Sequence, residues 1–310
     1  MIEKNKKLRI ATRGSPLALA QANEAANLIS KVNKHYLVKN ITIKTYRTQG
    51  DRLQTGNLSK IGGKGLFTKE VEQALLRGDA DIAVHSMKDM PIVSPNGLII
   101  AAYLPRADCR DVLIGNAKSI EDLPIGARVG SASVRRQAIL KSIRPDLIIE
   151  TIRGNVNTRI DRVINGDFDA TLLAAAGIAR LGMRNLKSVI ISIDDILPAV
   201  CQGIIGVQCR ETDHETIQTL KDIDDETTRI MATTERAFLS ELGGSCKTPI
   251  AGCALVEKDR ISLRGMIIRP DGTEMIAAEK FGSVLDPDAL GAEVGRQLRR
   301  GAGEGFFDEI

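Results

Sequence analysis

The hydrophobic pattern of the first residues predicts a strand followed by a helix. Residues 8–12 form an apolar run that is typical of a buried strand. Ser15 and Pro16 then supply an N-cap and a first-turn proline, the usual start of a helix. The apolar stripe that follows has helical spacing and predicts a face that packs on a sheet; its members are Ala18, Ala22, Ala25 and Ile29.

The alternation of strand and helix patterns continues toward the middle of the chain. Residues 41–47 predict the next strand, residues 48–65 a long polar loop, and residues 66–76 a helix. A short apolar run at residues 81–85 predicts a buried strand. We therefore expect a parallel sheet with crossover helices in this part of the chain.

Two further groups of elements are predicted. From residue 111 to about residue 193 the αβ pattern predicts a second lobe, with strands at 128–130, 147–151 and 170–174 and helices at 133–143 and 155–165. From residue 227 the order changes to that of an α+β module, with a helix to about 242, strands at 250–256, 261–268 and 275–281, and a helix at 287–300.

Composition places the chain among ordinary globular proteins. Its 310 residues are enough for two or three domains, and hydrophobic residues make up 43% and charged residues 26%. Aromatic residues are only 3% and the net charge is +4, which argues against a nucleic-acid-binding protein. No apolar run suits a membrane span or a signal peptide, so we expect a cytoplasmic protein that binds neither membrane nor nucleic acid.

The cysteines and histidines do not predict a metal site. Five cysteines are an odd number without C-x-x-C spacing, so neither a disulfide framework nor a zinc ribbon is expected. The three histidines are far apart along the chain. We expect no bound metal.

Basic residues collect where strands end and helices begin. A cation in the first turn of a helix opposes the helix dipole at a cost of about 0.3–1 kcal/mol, so repeated cations there need a reason. A bound anion supplies one, because helix N-termini and arginine side chains both favour carboxylate or phosphate. The residues concerned are Arg13, Lys60, Lys64, Arg135, Arg136, Arg153 and Arg159.

The identity of that anion stays open at this level. The chain lacks the glycine patterns that cradle nucleotide phosphates, and the glycine-rich segment 61–65 is a weak signal by itself. Any one of the basic residues can also be a solvated surface charge. We therefore predict a ligand with several negative charges, bound between two lobes at the carboxyl ends of strands.

Several motifs, in order along the chain, resemble those of the porphobilinogen deaminase family, which is also called hydroxymethylbilane synthase. The resemblance begins near residue 8 and reaches the C-terminal module. The motifs are LRIATRGSPLAL at 8–19, GGKGLF at 62–67, DIAVHSMKDMP at 81–91, VRRQ at 134–137, RGN at 153–155, LPAV at 197–200 and SCKTPI at 245–250.

The resemblance implies a fold of two periplasmic-binding-protein-like (type II) α/β lobes plus a C-terminal α+β domain. Lobe 1 then comprises residues 1–104 and 204–222, lobe 2 residues 105–203, and the C-terminal cofactor-attachment domain residues 223–310. The return of 204–222 to lobe 1 follows from the resemblance alone.

The resemblance makes Cys246 the covalent attachment point of a dipyrromethane cofactor. The residue pattern agrees, because Gly243 and Gly244 allow an exposed loop and Lys247 favours the reactive thiolate. A small buried thiol is the commoner state of cysteine, and we expect it for the other four; these are Cys109, Cys201, Cys209 and Cys253.

By the same resemblance Asp89 is the catalytic residue. It follows a buried strand and stands beside Lys88, at a position typical of a cleft. Loss of ammonia from porphobilinogen leaves a cation that a carboxylate stabilises. Without the resemblance, a turn-capping role before Pro91 is equally consistent with the sequence.

The resemblance also implies residues that bind carboxylate groups or cover the site. Lys88, Asp89, Ser133, Arg135, Arg136 and Arg153 are implied to bind the cofactor. Arg13, Ser15, Arg153, Arg159 and Arg180 are implied to bind the substrate. His85 and Ser86 are expected to orient groups in the same loop. The loop at 48–65 is our candidate lid, with Lys60, Lys64 and Phe67.

Three small residues depart from the commoner family forms. Ser131 stands where threonine is frequent, Cys201 where glycine or alanine is usual, and Ser245 where a second glycine often occurs. These changes leave the resemblance intact.

The implied function is an enzyme, a transferase that joins four porphobilinogen molecules into hydroxymethylbilane for tetrapyrrole (haem) biosynthesis. A monomer is expected. Two alternatives from other classes remain: a non-catalytic binding protein for a carboxylated metabolite, and a nucleic-acid binder that uses the arginines. A bound pyrrole on the purified protein separates the enzyme from both.

Overall fold

A computed structural model of the chain describes residues 6–52, 65–243, 249–303 and 306. The strands are β1 (Leu8–Arg13), β2 (Ile41–Tyr46), β3 (Ile82–Ser86), β4 (Leu98–Tyr103), β5 (Asp111–Gly115), β6 (Arg128–Gly130), β7 (Ile148–Glu150), β8 (Ala170–Ala174), β9 (Ser188–Ile190), β10 (Ile205–Arg210), β11 (Ile250–Glu257), β12 (Arg260–Ile268) and β13 (Met275–Ser283).

The helices are α1 (Pro16–Val32), α2 (Gln49–Arg52), α3 (Lys69–Leu76), α4 (Val134–Ile143), α5 (Val156–Ile164), α6 (Ala175–Arg180), α7 (His214–Lys221), α8 (Glu226–Glu241) and α9 (Pro287–Ala302). Within the described ranges, none of them is long and apolar enough to cross a membrane.

The first compact unit comprises Met1–Arg106 and Ile204–Arg229. Its sheet has the order β2-β1-β3-β10-β4, with β1 parallel to β2 and β3. The late strand β10 runs antiparallel to both β3 and β4. The parallel arrangement predicted for the strands of residues 8–85 is therefore confirmed, and β10, which enters the sheet from a distant part of the chain and not through a crossover helix, adds an antiparallel strand.

The start of α1 follows the predicted pattern. The Ser15 hydroxyl accepts a hydrogen bond from the Ala18 amide at 3.2 Å, and Pro16 occupies the first turn. The whole predicted apolar stripe is buried against the sheet. Local sequence signals and packing agree here, and this agreement fixes the position of Ser15 directly after β1.

The predicted loop and helix at 48–76 need two corrections. Residues 49–52 form the short helix α2, because the Thr48 hydroxyl and the Asp51 carboxylate each accept a hydrogen bond from the other's backbone amide, as in a capping box. Helix α3 begins at Lys69 and not at Leu66, whose carbonyl instead accepts a hydrogen bond from the Gly50 amide at 2.8 Å.

The second compact unit comprises Ala107–Gly203 and Ile230–Ile310. One sheet has the order β7-β6-β8-β5-β9, with β6 parallel to β7 and β8 and with β5 antiparallel to β8 and β9. A separate antiparallel sheet has the order β11-β12-β13. The predicted fold class, two α/β sheets plus a C-terminal α+β part, is confirmed. The division into three domains stays a prediction.

Close packing in the C-terminal part depends on two glycines. Gly252 of β11 lies opposite Gly265 of β12, and both face the ring of Phe238 from α8. A Cβ atom at Gly265 would lie 2.7 Å from that ring, too close for any side chain. The paired glycines therefore let α8 pack directly on the sheet.

Candidate functional site

Polar residues of the first unit gather at the carboxyl ends of its parallel strands. Arg13 ends β1, and Asp89 lies in a one-turn 3-10 helix directly after β3. Both line a cavity of about 60 Å³, together with Ser15 and Phe67. His85 and Ser86 line it as well, so six of the site residues singled out from the sequence share one cavity, at the edge where ligands bind in open α/β sheets.

Arg13 is held in this cavity by a carboxylate and an aromatic ring. Its Nε donates to Asp51 Oδ2 at 3.3 Å, and its Nη2 donates to Asp51 Oδ1. The guanidinium carbon lies 4.4 Å from the centre of the Phe67 ring, in a cation–π contact. Within the described part of the chain, Nη1 donates no hydrogen bond, so one edge of the guanidinium keeps donors for a ligand.

Asp51 was not singled out from the sequence. Burial acts to raise the pKa of its carboxyl group, but hydrogen bonds from Arg13 and Thr48 outweigh burial and hold the pKa below its ordinary value. The Thr48-x-x-Asp51 spacing of a capping box is the signal that could have found this residue.

A chain of buried polar side chains begins at His85, which also lines the cavity. His85 Nε2 donates to Gln208 Oε1 at 3.2 Å, and Gln208 Nε2 donates to Glu72 Oε1 at 3.4 Å. Burial lowers the pKa of His85 to about 4 and raises the pKa of Glu72. The His85 ring is therefore neutral at neutral pH. Gln208 of β10 holds it in place, and Glu72 of α3 in turn holds Gln208.

Asp89 differs from these partnered groups. Ser86, just before the 3-10 helix, exchanges hydrogen bonds with Gln21 of α1 at 2.7 and 3.1 Å, which fixes the end of β3. Asp89 is half-buried, and among the residues that the structure describes its carboxylate has no hydrogen-bond partner. The carboxylate is thus available to a ligand, beside Lys88 on the same turn.

In the second unit, two helices begin at one sheet edge. β6 and β7 are parallel neighbours, and α4 and α5 follow them. The Ser133 hydroxyl accepts from the Arg136 amide at 3.4 Å at the start of α4, and the Asn155 side chain caps α5 at 2.9 Å. Arg153 lies two residues before that cap. Helix N-termini that follow neighbouring strands, with an arginine shortly before one of them, suit an anionic ligand.

Arg135 and Arg136 form a buried cluster with Asp111, the first residue of β5. Arg135 Nη2 donates to Asp111 Oδ2 at 2.6 Å, and Arg136 contributes Nε at 3.0 Å and Nη2 at 2.7 Å to the same carboxylate. Gln202 Nε2 donates to Asp111 Oδ1 at 2.7 Å and to the Cys109 carbonyl at 2.8 Å. Four groups thus meet in a site closed to solvent.

The cluster carries more positive than negative charge. Burial alone would raise the pKa of Asp111, but the two arginines outweigh burial and hold the pKa far below its ordinary value. Burial lowers the pKa of Arg135, whose buried Nε has no hydrogen-bond partner among the residues that the structure describes. The sequence analysis did not single out Asp111 or Gln202. The signal that could have found Asp111 is its place directly before the apolar run 112–114, where an aspartate enters a buried strand.

The remaining predicted residues have these positions. Arg159 Nε donates to the Gly154 carbonyl at 2.9 Å, and Arg180 Nη2 donates to the Gly203 carbonyl at 3.1 Å. Arg153 makes neither a hydrogen bond nor an ion pair with any residue that the structure describes. Cys246, Lys60 and Lys64 lie outside the described residues.

The other cysteines follow the expectation with one exception. Cys201, Cys209 and Cys253 are buried, whereas Cys109 is half-exposed, so the prediction of a buried thiol is wrong there. Cys109 precedes β5 in a segment without strand or helix, which brings its side chain toward the surface. Cys201 has a φ of 59°, and its amide donates to the buried carboxylate of Glu235.

Comparison with known families accounts for most of the chain. Residues 8–218 match the family model described as porphobilinogen deaminase, dipyromethane cofactor binding domain, and residues 229–300 match its C-terminal domain. The chain belongs to the porphobilinogen deaminase family.

Relatives of the family are similar over nearly their full length. A porphobilinogen deaminase from Nitrobacter winogradskyi is 48% identical over 299 residues, which cover 96% of this chain and 94% of that protein. One from Paracoccus denitrificans is 48% identical over 303 residues, covering 97% and 96%. Among solved structures, a probable amino-acid transporter extracellular-binding protein from Bacillus subtilis is 15% identical, with a TM-score of 0.41 over 73% of this chain and 94% of that one.

Proposed function

We propose that the chain is a porphobilinogen deaminase. The reaction joins four porphobilinogen molecules one after another, releases one ammonia at each step, and yields the linear tetrapyrrole hydroxymethylbilane. Family membership supports this reaction, and one observation carries the chemistry. The Asp89 carboxylate, without a hydrogen-bond partner among the described residues, shares a cavity with the guanidinium of Arg13.

Asp89 supplies the negative charge that the reaction needs. When the aminomethyl group of porphobilinogen loses ammonia, positive charge develops on the carbon and spreads to the pyrrole nitrogen. A carboxylate beside that nitrogen stabilises the charge, and it accepts a hydrogen bond from the pyrrole N–H beforehand. A carboxylate already paired with an arginine would offer much less of this stabilisation, because its charge is neutralised.

The arginines supply the charge that the substrate carboxylates need. Porphobilinogen carries an acetate and a propionate group, and a guanidinium can bind either with two parallel hydrogen bonds. We assign this binding to Arg13, Ser15, Arg153, Arg159 and Arg180. Support comes from Nη1 of Arg13, which donates no hydrogen bond within the described residues, and from the position of Arg153 two residues before the N-cap of α5.

The residues of the second unit fit a dipyrromethane cofactor with acidic side chains. The two-to-one excess of arginine over aspartate leaves a net positive charge near the start of α4, which favours an anion there. We propose that Ser133, Arg135, Arg136 and Arg153 bind its carboxylates, that Lys88 and Asp89 also contact it, and that Cys246 anchors it. When bound, the cofactor supplies a pyrrole primer that accepts the first substrate and stays attached when the product leaves.

The direct test is whether the purified protein carries a pyrrole. Ehrlich's reagent is expected to develop a colour, and the intact mass is expected to exceed the sequence mass by one dipyrrole. Cys246→Ser should lose both signals, while Cys209→Ser, a change at a buried thiol of β10, should keep them. A colourless wild-type protein of sequence mass would overturn the proposal and favour a metabolite-binding protein.

A cytoplasmic location, a monomeric state and the absence of nucleic-acid binding are part of the same proposal. The low aromatic content and modest net charge support the last of these. Cell fractionation and light scattering on the purified protein test the first two, and an electrophoretic shift assay tests the third.

A further inference from the structure

Two thiols of the second unit lie in contact outside the site described above. Cys109 precedes β5, and Cys253 lies in β11 opposite Arg264. Their Sγ atoms are 3.6 Å apart. Because a disulfide bond is about 2.05 Å long, a movement of about 1.5 Å would bring the two sulfurs to bonding distance.

The two cysteines differ in exposure and in how firmly they are held. Cys253 is 2% exposed, and its strand is paired with β12 along its whole length. Cys109 is half-exposed and lies outside any strand or helix. A small oxidant can therefore reach Cys109 first, and its segment can move toward Cys253 at lower cost than the paired strand can move.

We propose that Cys109 and Cys253 form a reversible disulfide by exchange with a small-molecule disulfide such as glutathione disulfide. The Cys109 thiolate attacks one sulfur of the small disulfide and displaces one small thiolate. Cys253 then loses its proton, attacks the Cys109 sulfur and displaces the second small thiolate. Two protein thiols are oxidised, and one small disulfide is reduced to two thiols.

The disulfide acts on the buried arginine cluster through Gln202. One amide nitrogen of Gln202 donates to the Cys109 carbonyl at 2.8 Å and to Asp111 Oδ1 at 2.7 Å. Movement of Cys109 toward Cys253 displaces one end of this bridge, and Asp111 at its other end holds Arg135 and Arg136. A loss of turnover on oxidation follows, and this consequence alone rests on the proposed function.

Tryptic mapping tests the disulfide without reference to activity. The purified full-length chain is equilibrated with glutathione disulfide, blocked with N-ethylmaleimide and digested without reduction. Trypsin separates all the thiols concerned: Cys109 falls in peptide 107–110, Cys253 in 248–258, Cys246 in 237–247, and Cys201 with Cys209 in 188–210.

A linked peptide that joins 107–110 to 248–258 is expected, about 2 Da lighter than the two thiol peptides together, and dithiothreitol should remove it. Cys109→Ser and Cys253→Ser should each abolish it, and Cys209→Ser should retain it. The proposal would be overturned if both peptides carried maleimide at every ratio of glutathione to glutathione disulfide, or if Cys109 were linked to a different peptide.

Turnover of the same samples tests the coupling to the cluster. Oxidised wild type should lose roughly 2- to 10-fold in rate and regain it with dithiothreitol, while Cys253→Ser should not respond. A linked peptide with unchanged turnover would overturn the coupling and keep the disulfide. A chain without any deaminase activity would overturn the proposed function, and the linked peptide would still decide the disulfide.

Discussion

Asp89 and Asp111 are both carboxylates at strand ends, yet the protein uses them in opposite ways. Asp111 is fully buried and accepts hydrogen bonds from two arginines and a glutamine. Asp89 is half-buried in a cavity, and its carboxylate has no hydrogen-bond partner in the described ranges. A carboxylate whose oxygens accept hydrogen bonds from protein groups stabilises the fold, whereas a carboxylate without such partners can stabilise positive charge on a ligand.

The largest effect is expected from removal of the Asp111 carboxylate. Asp111→Ala leaves two buried guanidiniums without their counter-charge and should lower the free energy of unfolding by about 3–5 kcal/mol. Urea denaturation measures this loss. The matched control is Asp167→Ala, because Asp167 pairs with Arg162 at the surface of the same unit at 2.9 Å. If both variants unfold at the same urea concentration, Asp111 does not have the structural role assigned to it.

Asp89→Asn should lower activity and leave stability unchanged, in contrast to Asp111→Ala. The substitution keeps the shape and removes the charge, so kcat should fall roughly 10²- to 10³-fold, which corresponds to about 3–4 kcal/mol in the barrier. The urea midpoint should stay at the wild-type value, because no described residue makes a hydrogen bond to this carboxylate that the substitution could remove. Asp79→Asn, at a half-exposed carboxylate of the same unit that pairs with Arg77, is the control. Wild-type turnover by Asp89→Asn would remove it from the chemistry.

The pH dependence of stability should separate the two regions further. Burial holds the pKa of His85 at about 4 in the folded chain, below the ordinary value of about 6.5. Between these values the unfolded chain binds more protons, so stability rises with pH and is complete above about pH 6.5. The contribution of His85 to stability should therefore fall by about 2 kcal/mol on going down to about pH 5, whereas the Asp111 cluster should titrate only below about pH 4.

Urea denaturation across this pH range measures the effect of His85. His85→Gln should flatten the dependence, and His214→Gln, at an exposed histidine of α7, should leave it unchanged. A wild-type stability that is constant from about pH 7.5 to about pH 5 would contradict the assignment of a buried neutral ring.

The smallest expected loss of stability is that of Arg13, whose environment lies between those of Asp89 and Asp111. Its ion pair with Asp51 is partly exposed, with 25% and 22% of the two side chains accessible, so Arg13→Leu should change stability by no more than about 1 kcal/mol. The substitution removes a ligand for a substrate carboxylate, so kcat/KM should fall by about 1.5–3 kcal/mol, or roughly 10- to 150-fold. Steady-state kinetics checks this, with Arg77→Leu as the surface control. A larger loss of stability than of kcat/KM would make Arg13 structural.

Local sequence patterns predicted elements whose stability is decided locally. The C-terminal strands and helices, the capped start of α1 and strand β8 all lie within two residues of their predicted bounds. In each case the apolar periodicity and the turn or cap residues lie in the same short stretch of chain. The positions of Asp89, Ser133 and Arg153 directly after strands follow from those elements.

The sequence did not predict features that depend on distant partners. The apolar run of β10 carries no information about its direction or neighbours, so its antiparallel place between β3 and β4 was not predictable from local pattern. The pairing of Arg135 and Arg136 with Asp111 joins residues about two dozen positions apart, and a first-turn arginine looks the same in sequence whether it binds a ligand or a buried aspartate. Roles for such residues came from the family resemblance and stay proposals.

The late strand β10 sets an order of events during synthesis. In the N-terminal sheet, β4 and the edge of β3 that faces away from β1 have no partner strand until residues 204–210 have left the ribosome, about 100 residues after Arg106. At ordinary rates of translation this interval lasts on the order of 5–20 s, during which the edges of β3 and β4 stay open to incorrect pairing. Chaperones that bind nascent chains would therefore have their main substrate in this protein between those two points of its synthesis.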